Sequence, residues 1–182
     1  YAGYQKAIED VGMVGTFLEP DGGGENRGEL LELCAEAGND LIVGNGFLFD
    51  GAMNEVAPNY PDINFAITDG VAEPSNVRGM LFKHAEGSYL AGIAAALKTK
   101  TNNVGFIGGV DFPLIHEFEQ GFLAGVAEIN PDIVVQIGYA SVPPDFSGFN
   151  DPVKGKEIAL AQYEAGADII YHAAGGTGTG RF

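Results

Sequence analysis

The sequence predicts an α/β fold with parallel β-sheets that helices cover on both faces. Two observations support this prediction. Helical and strand patterns alternate almost without exception along the 182 residues, and the strand segments are short, continuous apolar runs. Continuous runs are typical of strands that are buried on both faces of a parallel sheet. Hydrophobic residues make up 46% of the chain, which is enough to form a core.

The first half of the chain contains helices and apolar strands in turn. In order, the predicted elements are a helix at 1–11, a strand at 13–18, a second helix, a strand at 41–43, a helix around 50–58, and strands at 63–68 and 77–82. The second helix is predicted from the spacing of Leu30, Leu33, Cys34 and Ala37, which gives the helix one apolar face. Cys34 is the only cysteine, so no disulfide can form within the chain, and we expect a small buried hydrophobic residue.

The second half begins with a long helix at 86–98. Its pattern predicts that Leu90, Ile93 and Leu97 face inward. The later elements are a strand at 104–107, a helix from residue 113, a strand at 133–137, a helix at 152–165 and a strand at 168–172. Near 82–86 an extended strand passes directly into a helix, which predicts two lobes, 1–82 and 83–182.

The formal net charge of −16 argues against binding partners that are themselves strongly negative. There are 25 acidic and 9 basic residues, and such a balance repels nucleic acid and anionic membrane surfaces. We therefore expect no nucleic-acid partner and a hydrated acidic surface. No apolar run approaches the roughly 18 residues that a membrane-spanning helix requires, so the sequence predicts no such helix.

No set of residues in the sequence predicts catalysis, a metal site or a cofactor. The three histidines are scattered without the spacing of metal ligands, and no G-x-S-x-G sequence marks a nucleophile. The glycines near residue 180 match neither G-x-G-x-x-G nor the P-loop pattern. These observations favour a binding protein over the alternative of a nucleotide-dependent enzyme.

Ligands of parallel α/β sheets bind beyond the carboxyl ends of the strands. Asp69 ends one strand, where its carboxylate can accept hydrogen bonds from a ligand or cap the next turn. Asp111 follows another strand, where the pattern favours helix capping over a role in a cleft. Aromatic residues in or beside strand-end turns are candidates for stacking on a flat ligand, namely Phe47, Phe149 and Phe182.

A glycine-rich turn follows the last predicted strand and contains Gly175, Gly176, Gly178 and Gly180. Backbone N–H groups that such a turn exposes suit an anion or the polar edge of a ligand. A tight turn with close packing of a helix on a strand explains the same glycines. The residues alone leave both alternatives open.

Two long segments resemble the basic membrane lipoprotein family, whose members are substrate-binding proteins of ABC transporters and include the purine nucleoside receptor lipoproteins. The segments read GFIGGVDFPLIHEFEQGFLAGVAEINPDI and FNDPVKGKEIALAQYEAGADIIYHAAGGTGTGRF, with support from YPDINFAITD and VRGMLFKHAEGSYLAGIAAAL. The resemblance spans nearly the whole chain. It implies a type I periplasmic-binding-protein fold, in which two parallel-sheet lobes joined by crossover strands close on a ligand.

The resemblance also implies roles for particular residues. Asp69 matches the family aspartate that hydrogen-bonds a purine base, and Phe182 matches an aromatic residue that stacks on the base. Gly176 and Gly178 lie in a turn that lines the cleft. Asp111 and Phe149 match positions near the cleft, although the segment SVPPDFSGF is longer than the usual family turn.

Relative to the family, both lobes are expected to be incomplete, with a first strand before residue 1 and the rest of the second lobe after residue 182. The implied function is that of a substrate-binding lipoprotein that captures a purine nucleoside for import through an ABC-transporter permease. A lipid anchor would hold the full-length protein at the cell membrane, facing the periplasm or the cell exterior. The alternative is a cytoplasmic ligand sensor or transcriptional regulator with the same fold.

Overall fold

The computed structural model describes residues 2–21 and 24–180. The chain divides into two compact units, Tyr1–Phe82 and Lys83–Phe182. Each unit contains a three-stranded sheet in which every pair of neighbouring strands is parallel. Helices separate these strands along the chain, except between β2 and β3, so the predicted α/β class is confirmed.

The first unit has its strands in the order β1-β2-β3. Its elements are α1 (Ala2–Val11), α2 (Arg27–Glu36), β1 (Leu41–Gly44), a 3₁₀ turn (Phe47–Phe49), α3 (Asp50–Val56), a second 3₁₀ turn (Ala57–Asn59), β2 (Asn64–Thr68) and β3 (Val77–Met80). The central strand β2 buries Phe65 and Ile67 against Met53 and Val56 of α3. The core of this unit therefore lies between the sheet and its helices.

The prediction of a strand at 13–18 is wrong. This segment has no regular secondary structure, and its Val14 side chain is 97% exposed. A strand requires ladder hydrogen bonds to a neighbour, and none of β1, β2 and β3 pairs with this segment. The apolar run therefore lies outside the core. The strand predicted at 77–82 is also shorter, because Leu81 and Phe82 follow β3 and are exposed.

The apolar face predicted for α2 is also wrong. Leu31 and Ala35 are the buried residues of this helix, whereas Leu33 is largely exposed. Leu31 and Ala35 are four residues apart and lie on one face, which packs in the core with Ile42 of β1. Cys34 is only partly buried beside this core, and burial raises the pKa of its thiol.

The second unit has its strands in the order β5-β4-β6. Its elements are α4 (His84–Lys98), β4 (Asn103–Val110), α5 (Pro113–Ile129), β5 (Val134–Ser141), a 3₁₀ turn (Ser147–Phe149), α6 (Pro152–Glu164), β6 (Ile169–Ala173) and a 3₁₀ turn (Gly175–Thr179). The central strand β4 is buried from Val104 to Val110, because it has a strand on either side and helices above and below. The helix that begins at Pro113 buries Phe122 and Val126.

Helices α4 and α5 pack with unusually close backbones. A Cβ atom added to Gly92 of α4 would collide with the carbonyl oxygen of Phe122, and one added to Gly125 of α5 would collide with that of Tyr89. The same holds for Gly121 of α5 and the carbonyl oxygen of Ala85. Glycines allow two helix backbones to approach each other because no side chain lies between them.

This close approach overturns the predicted inward face of α4. Leu90 and Leu97 are each 65% exposed and Ile93 is only half-buried. The buried residues of α4 are instead small, and they are Ser88, Gly92, Ala95 and Ala96. The sequence predicted burial of the large apolar residues of α4. The contact between α4 and α5 requires small residues instead, so the leucines point away from α5.

Asp168, just before β6, holds the loop between α4 and β4. Its carboxylate accepts hydrogen bonds from Thr99 Oγ1 at 2.7 Å and from the backbone N–H groups of Lys100 at 2.6 Å and Thr101 at 3.3 Å. The bond from Thr99, followed by that from the Lys100 backbone, lowers the pKa of Asp168 below its ordinary value of 3.8.

We expect Asp168→Asn to lose stability relative to the wild type at neutral pH and to lose less as the solution becomes acidic. A lowered folded-state pKa gives stability that is present above the unfolded pKa and disappears as pH falls through the folded one. Urea denaturation from pH 7 to pH 2 measures the difference. Asp132→Asn, on an exposed turn, is the control. A difference between wild type and Asp168→Asn that is independent of pH would contradict the expectation.

Candidate ligand-binding site

The loops after β1 and β2 are joined at the carboxyl edge of the first sheet. Thr68, the last residue of β2, donates a hydrogen bond from its hydroxyl to Asn45 Oδ1 at 2.9 Å. The Thr68 hydroxyl oxygen in turn accepts a hydrogen bond from the backbone N–H of Gly46 at 2.8 Å. Both loops leave parallel strands in register, since Gly44 lies opposite Ile67. The Thr68 contacts therefore fix the positions of the residues that follow each strand.

Asp69 lies in this edge directly after β2. Its φ of 58° is in the left-handed region, which aspartate tolerates better than most residues. Its backbone N–H donates a hydrogen bond to the carbonyl oxygen of Met80 at 2.9 Å, and the residue is half-buried. Such conformations concentrate at functional positions. The hydrogen bond to Met80 thus holds the Asp69 backbone at the edge where parallel sheets bind ligands.

Phe47 lies on the same edge, in the loop after β1. It begins the 3₁₀ turn Phe47–Phe49 and is half-buried. Behind it, the guanidinium of Arg27 lies 5.6 Å from the centre of the Phe49 ring, within range of a cation–π contact. The structure therefore brings two of the predicted site residues, Phe47 and Asp69, to one edge of one sheet.

Asp111 follows β4 in the second unit, but it does not cap α5. The residue before the helix is Phe112, and no side chain caps the first turn. The Asp111 carboxylate instead pairs with the imidazole of His116, with Oδ1 and Nε2 2.6 Å apart. The expectation that capping is its main role was wrong, because a histidine one turn along α5 takes the carboxylate.

A second polar pair lies beside Asp111. The Tyr139 hydroxyl donates a short hydrogen bond to the Glu119 carboxylate, and the Tyr139 ring meets the His116 ring edge-on at 5.8 Å between centroids. Burial, and then the bond to Glu119, raises the pKa of Tyr139, so its phenol stays protonated as a donor. Asp111, His116, Tyr139 and Glu119 thus form a chain of contacting polar side chains in the second unit.

The glycine-rich turn after β6 packs tightly against its neighbours. The buried Thr177 hydroxyl donates to the carbonyl oxygen of Gly148 at 2.6 Å and accepts from the backbone N–H of Asp151 at 2.7 Å. A Cβ atom on Gly178 would collide with the His172 ring, and one on Gly176 would lie 3.0 Å from Asn150 Oδ1. These contacts explain the glycines by packing, and a ligand role for Gly176 and Gly178 stays a prediction.

The two remaining aromatic residues predicted for the site are Phe149 and Phe182. Phe149 is half-buried and packs on the core of the second unit, where a side chain on Gly109 would collide with its ring. Its role in stacking on a ligand stays a prediction. Phe182 lies outside the described residues.

The sequence did not predict Thr68, His116 and Tyr139 as residues of the site. Thr68 could have been found, because it is a polar residue at the end of a strand, directly before Asp69.

Two further features of the described residues bear on other kinds of function. Across residues 2–21 and 24–180, His, Cys, Asp and Glu side chains form no group of three or more that could hold a metal ion. Within the same ranges, every helix is too short or too polar to cross a membrane.

Comparisons with known proteins identify the family. Residues 3–182 match the model of the ABC transporter substrate-binding protein PnrA-like family. The chain is 43% identical over 153 residues to the CD4+ T-cell-stimulating antigen of Listeria monocytogenes. The aligned region covers 84% of this chain and 41% of that protein. It is 44% identical over 148 residues to the ABC transporter nucleoside-binding protein BmpA of Lactococcus lactis, with 81% and 40% covered.

A solved structure supports the same assignment. An ABC transporter solute-binding protein from Aeropyrum pernix K1 superposes with a TM-score of 0.84 at 30% identity, over 98% of this chain and 50% of that one. The type I periplasmic-binding-protein fold is therefore confirmed. The chain spans about two-fifths of the length of the curated relatives described above. The matching family is a class of transport proteins and not of enzymes, and this chain belongs to the PnrA-like family of ABC transporter substrate-binding proteins.

Proposed function

We propose that this chain belongs to a protein that captures a purine nucleoside for import by an ABC transporter. The single observation that carries the proposal is Asp69, held in a left-handed conformation at the carboxyl edge of β2. Its carboxylate is an acceptor for the N–H groups on the edge of a base. Phe47 on the same edge offers a flat apolar surface for the ring.

The relatives support the choice of ligand and partner. The Lactococcus lactis relative is named as a nucleoside-binding protein of an ABC transporter. A protein of this kind would deliver its ligand to a membrane permease, and a lipid anchor would hold it at the outer face of the cell membrane. In the proposal, Asp111, Phe149, Gly176, Gly178 and Phe182 are further residues that contact the ligand.

Isothermal titration of the complete protein tests the proposed function. We expect adenosine, guanosine or inosine to bind with a dissociation constant in the micromolar range or below, corresponding to about −8 kcal/mol or more favourable. Free ribose and a dipeptide are the comparison ligands and should bind at least about a hundredfold more weakly. Binding of ribose or the dipeptide without binding of any nucleoside would overturn the choice of ligand and leave the fold assignment intact.

A further inference from the structure

The first residue of α3, Asp50, reaches across to the loop that carries Asp69. The backbone of Val71 lies close enough to its carboxyl to lower the pKa of that group. Its Oδ1 also lies directly against Gly70, where an added Cβ atom would collide with it. The Asp50 carboxyl therefore contacts both of the residues that follow Asp69.

One oxygen of this carboxyl is buried at a cost. Among the described residues, Asp50 Oδ1 is inaccessible to solvent and has no hydrogen-bond partner. Burial raises the pKa of Asp50, and the neighbouring backbone of Val71 opposes this effect only in part. Leaving a buried polar atom without a hydrogen bond destabilises the folded state, and a charged group loses more than a neutral one. A residue that destabilises its own surroundings suggests a role other than stability.

Helix α3 holds the same loop at a second point. Asn54, one helical turn after Asp50, accepts a hydrogen bond at Oδ1 from the backbone N–H of Glu73 at 2.9 Å. The two side chains project from the same face of the helix. Asp50 meets the loop next to Asp69, and Asn54 meets it further along. Asn54 thus provides a matched control for the position of the contact.

We propose that Asp50 is a positioning residue, which fixes the loop of residues 69–71 so that the Asp69 carboxylate is preorganised for ligand. The inference deepens the proposed function and rests on it. A contact that holds a binding group in its bound geometry raises affinity, because less ordering remains to be done when the ligand arrives. Asp50 itself does not touch the ligand in this account, since its Oδ1 faces Gly70 and is closed to solvent.

Three variants of the complete protein test this role, namely Asp50→Ala, Asp50→Asn and Asn54→Ala. We expect Asp50→Ala to weaken adenosine binding about tenfold or more, measured by titration calorimetry at a temperature where all variants are folded. Asp50→Asn keeps an acceptor for Val71 and should stay within about threefold of the wild type. Asn54→Ala should bind like the wild type, whatever its melting temperature.

Amide hydrogen exchange of the ligand-free protein supplies a readout that does not depend on the ligand. The peptide that covers residues 69–72 should exchange faster in Asp50→Ala than in the wild type, and the Asp50→Asn variant should restore slow exchange. If the wild type binds nucleosides and Asp50→Ala binds them equally well, the inference is overturned. If the wild type binds no nucleoside, the proposed function fails, and unchanged exchange in Asp50→Ala then overturns the positioning role as well.

Discussion

Replacing Gly125 by alanine is expected to destabilise the protein by about 2 kcal/mol or more. The added methyl group would collide with the carbonyl oxygen of Tyr89 on α4, which is backbone and cannot rotate away. Relief requires α4 and α5 to separate, and separation loosens the buried contacts of Phe122 and Val126. Urea denaturation of the complete protein, followed by circular dichroism, gives the change in the free energy of unfolding.

The matched control for this prediction is Gly87→Ala in α4. No atom lies within 4 Å of a Cβ at Gly87, so the substitution adds a good helix former in open space. It should stabilise the protein by up to about 1 kcal/mol. If Gly125→Ala behaves as mildly as Gly87→Ala, the two helices are further apart than described here, and the account of why Leu90 and Leu97 face outward fails with it.

The second large effect is expected at Asp69. Asp69→Asn keeps the shape of the side chain and a residue that tolerates the left-handed backbone, but it loses the charged acceptor. A hydrogen bond to a charged group contributes about 1.5–3 kcal/mol, so affinity for a purine nucleoside should fall between roughly 10-fold and 150-fold. The melting temperature should change little, because the Asp69 backbone bond to Met80 is untouched.

Asn102 offers a control for backbone strain at Asp69. Among the described residues other than glycine, only Asp69 and Asn102 have a left-handed backbone, and the φ of Asn102 is 54°. Asp69→Ala and Asn102→Ala should both lose about 1 kcal/mol of stability from this conformation. Only Asp69→Ala should also lose nucleoside affinity. Equal affinities for wild type and both Asp69 variants would show that the carboxylate does not contact the ligand.

The order of helices and strands was largely predictable from the sequence, and the helix faces were not. Apolar spacing located α4 correctly, but Leu90 and Leu97 point outward because Gly92 and Gly125 bring two backbones together. Helical periodicity weighs apolar side chains, so it cannot detect a contact made by glycines. The segment 13–18 has the composition of a strand, but pairing decides whether a strand forms.

The candidate site was predictable to a similar extent. Asp69 was found because a polar residue at the end of a buried strand is a strong local signal. Asp50 was missed because an acidic residue in the first turn of a helix is a common and stabilising choice. Its contacts with Gly70 and Val71 join the start of α3 to a loop about 20 residues further along the chain, and only the fold shows that the two meet.

A crystal structure of the complete protein with adenosine tests the central claim most directly. We expect the base to lie at the carboxyl edge of β2, with a nitrogen within about 3.2 Å of a carboxylate oxygen of Asp69. The Asp50 carboxyl should remain against Gly70 in that complex. A nucleoside bound away from this edge, with the Asp69 carboxylate facing solvent, would contradict the account.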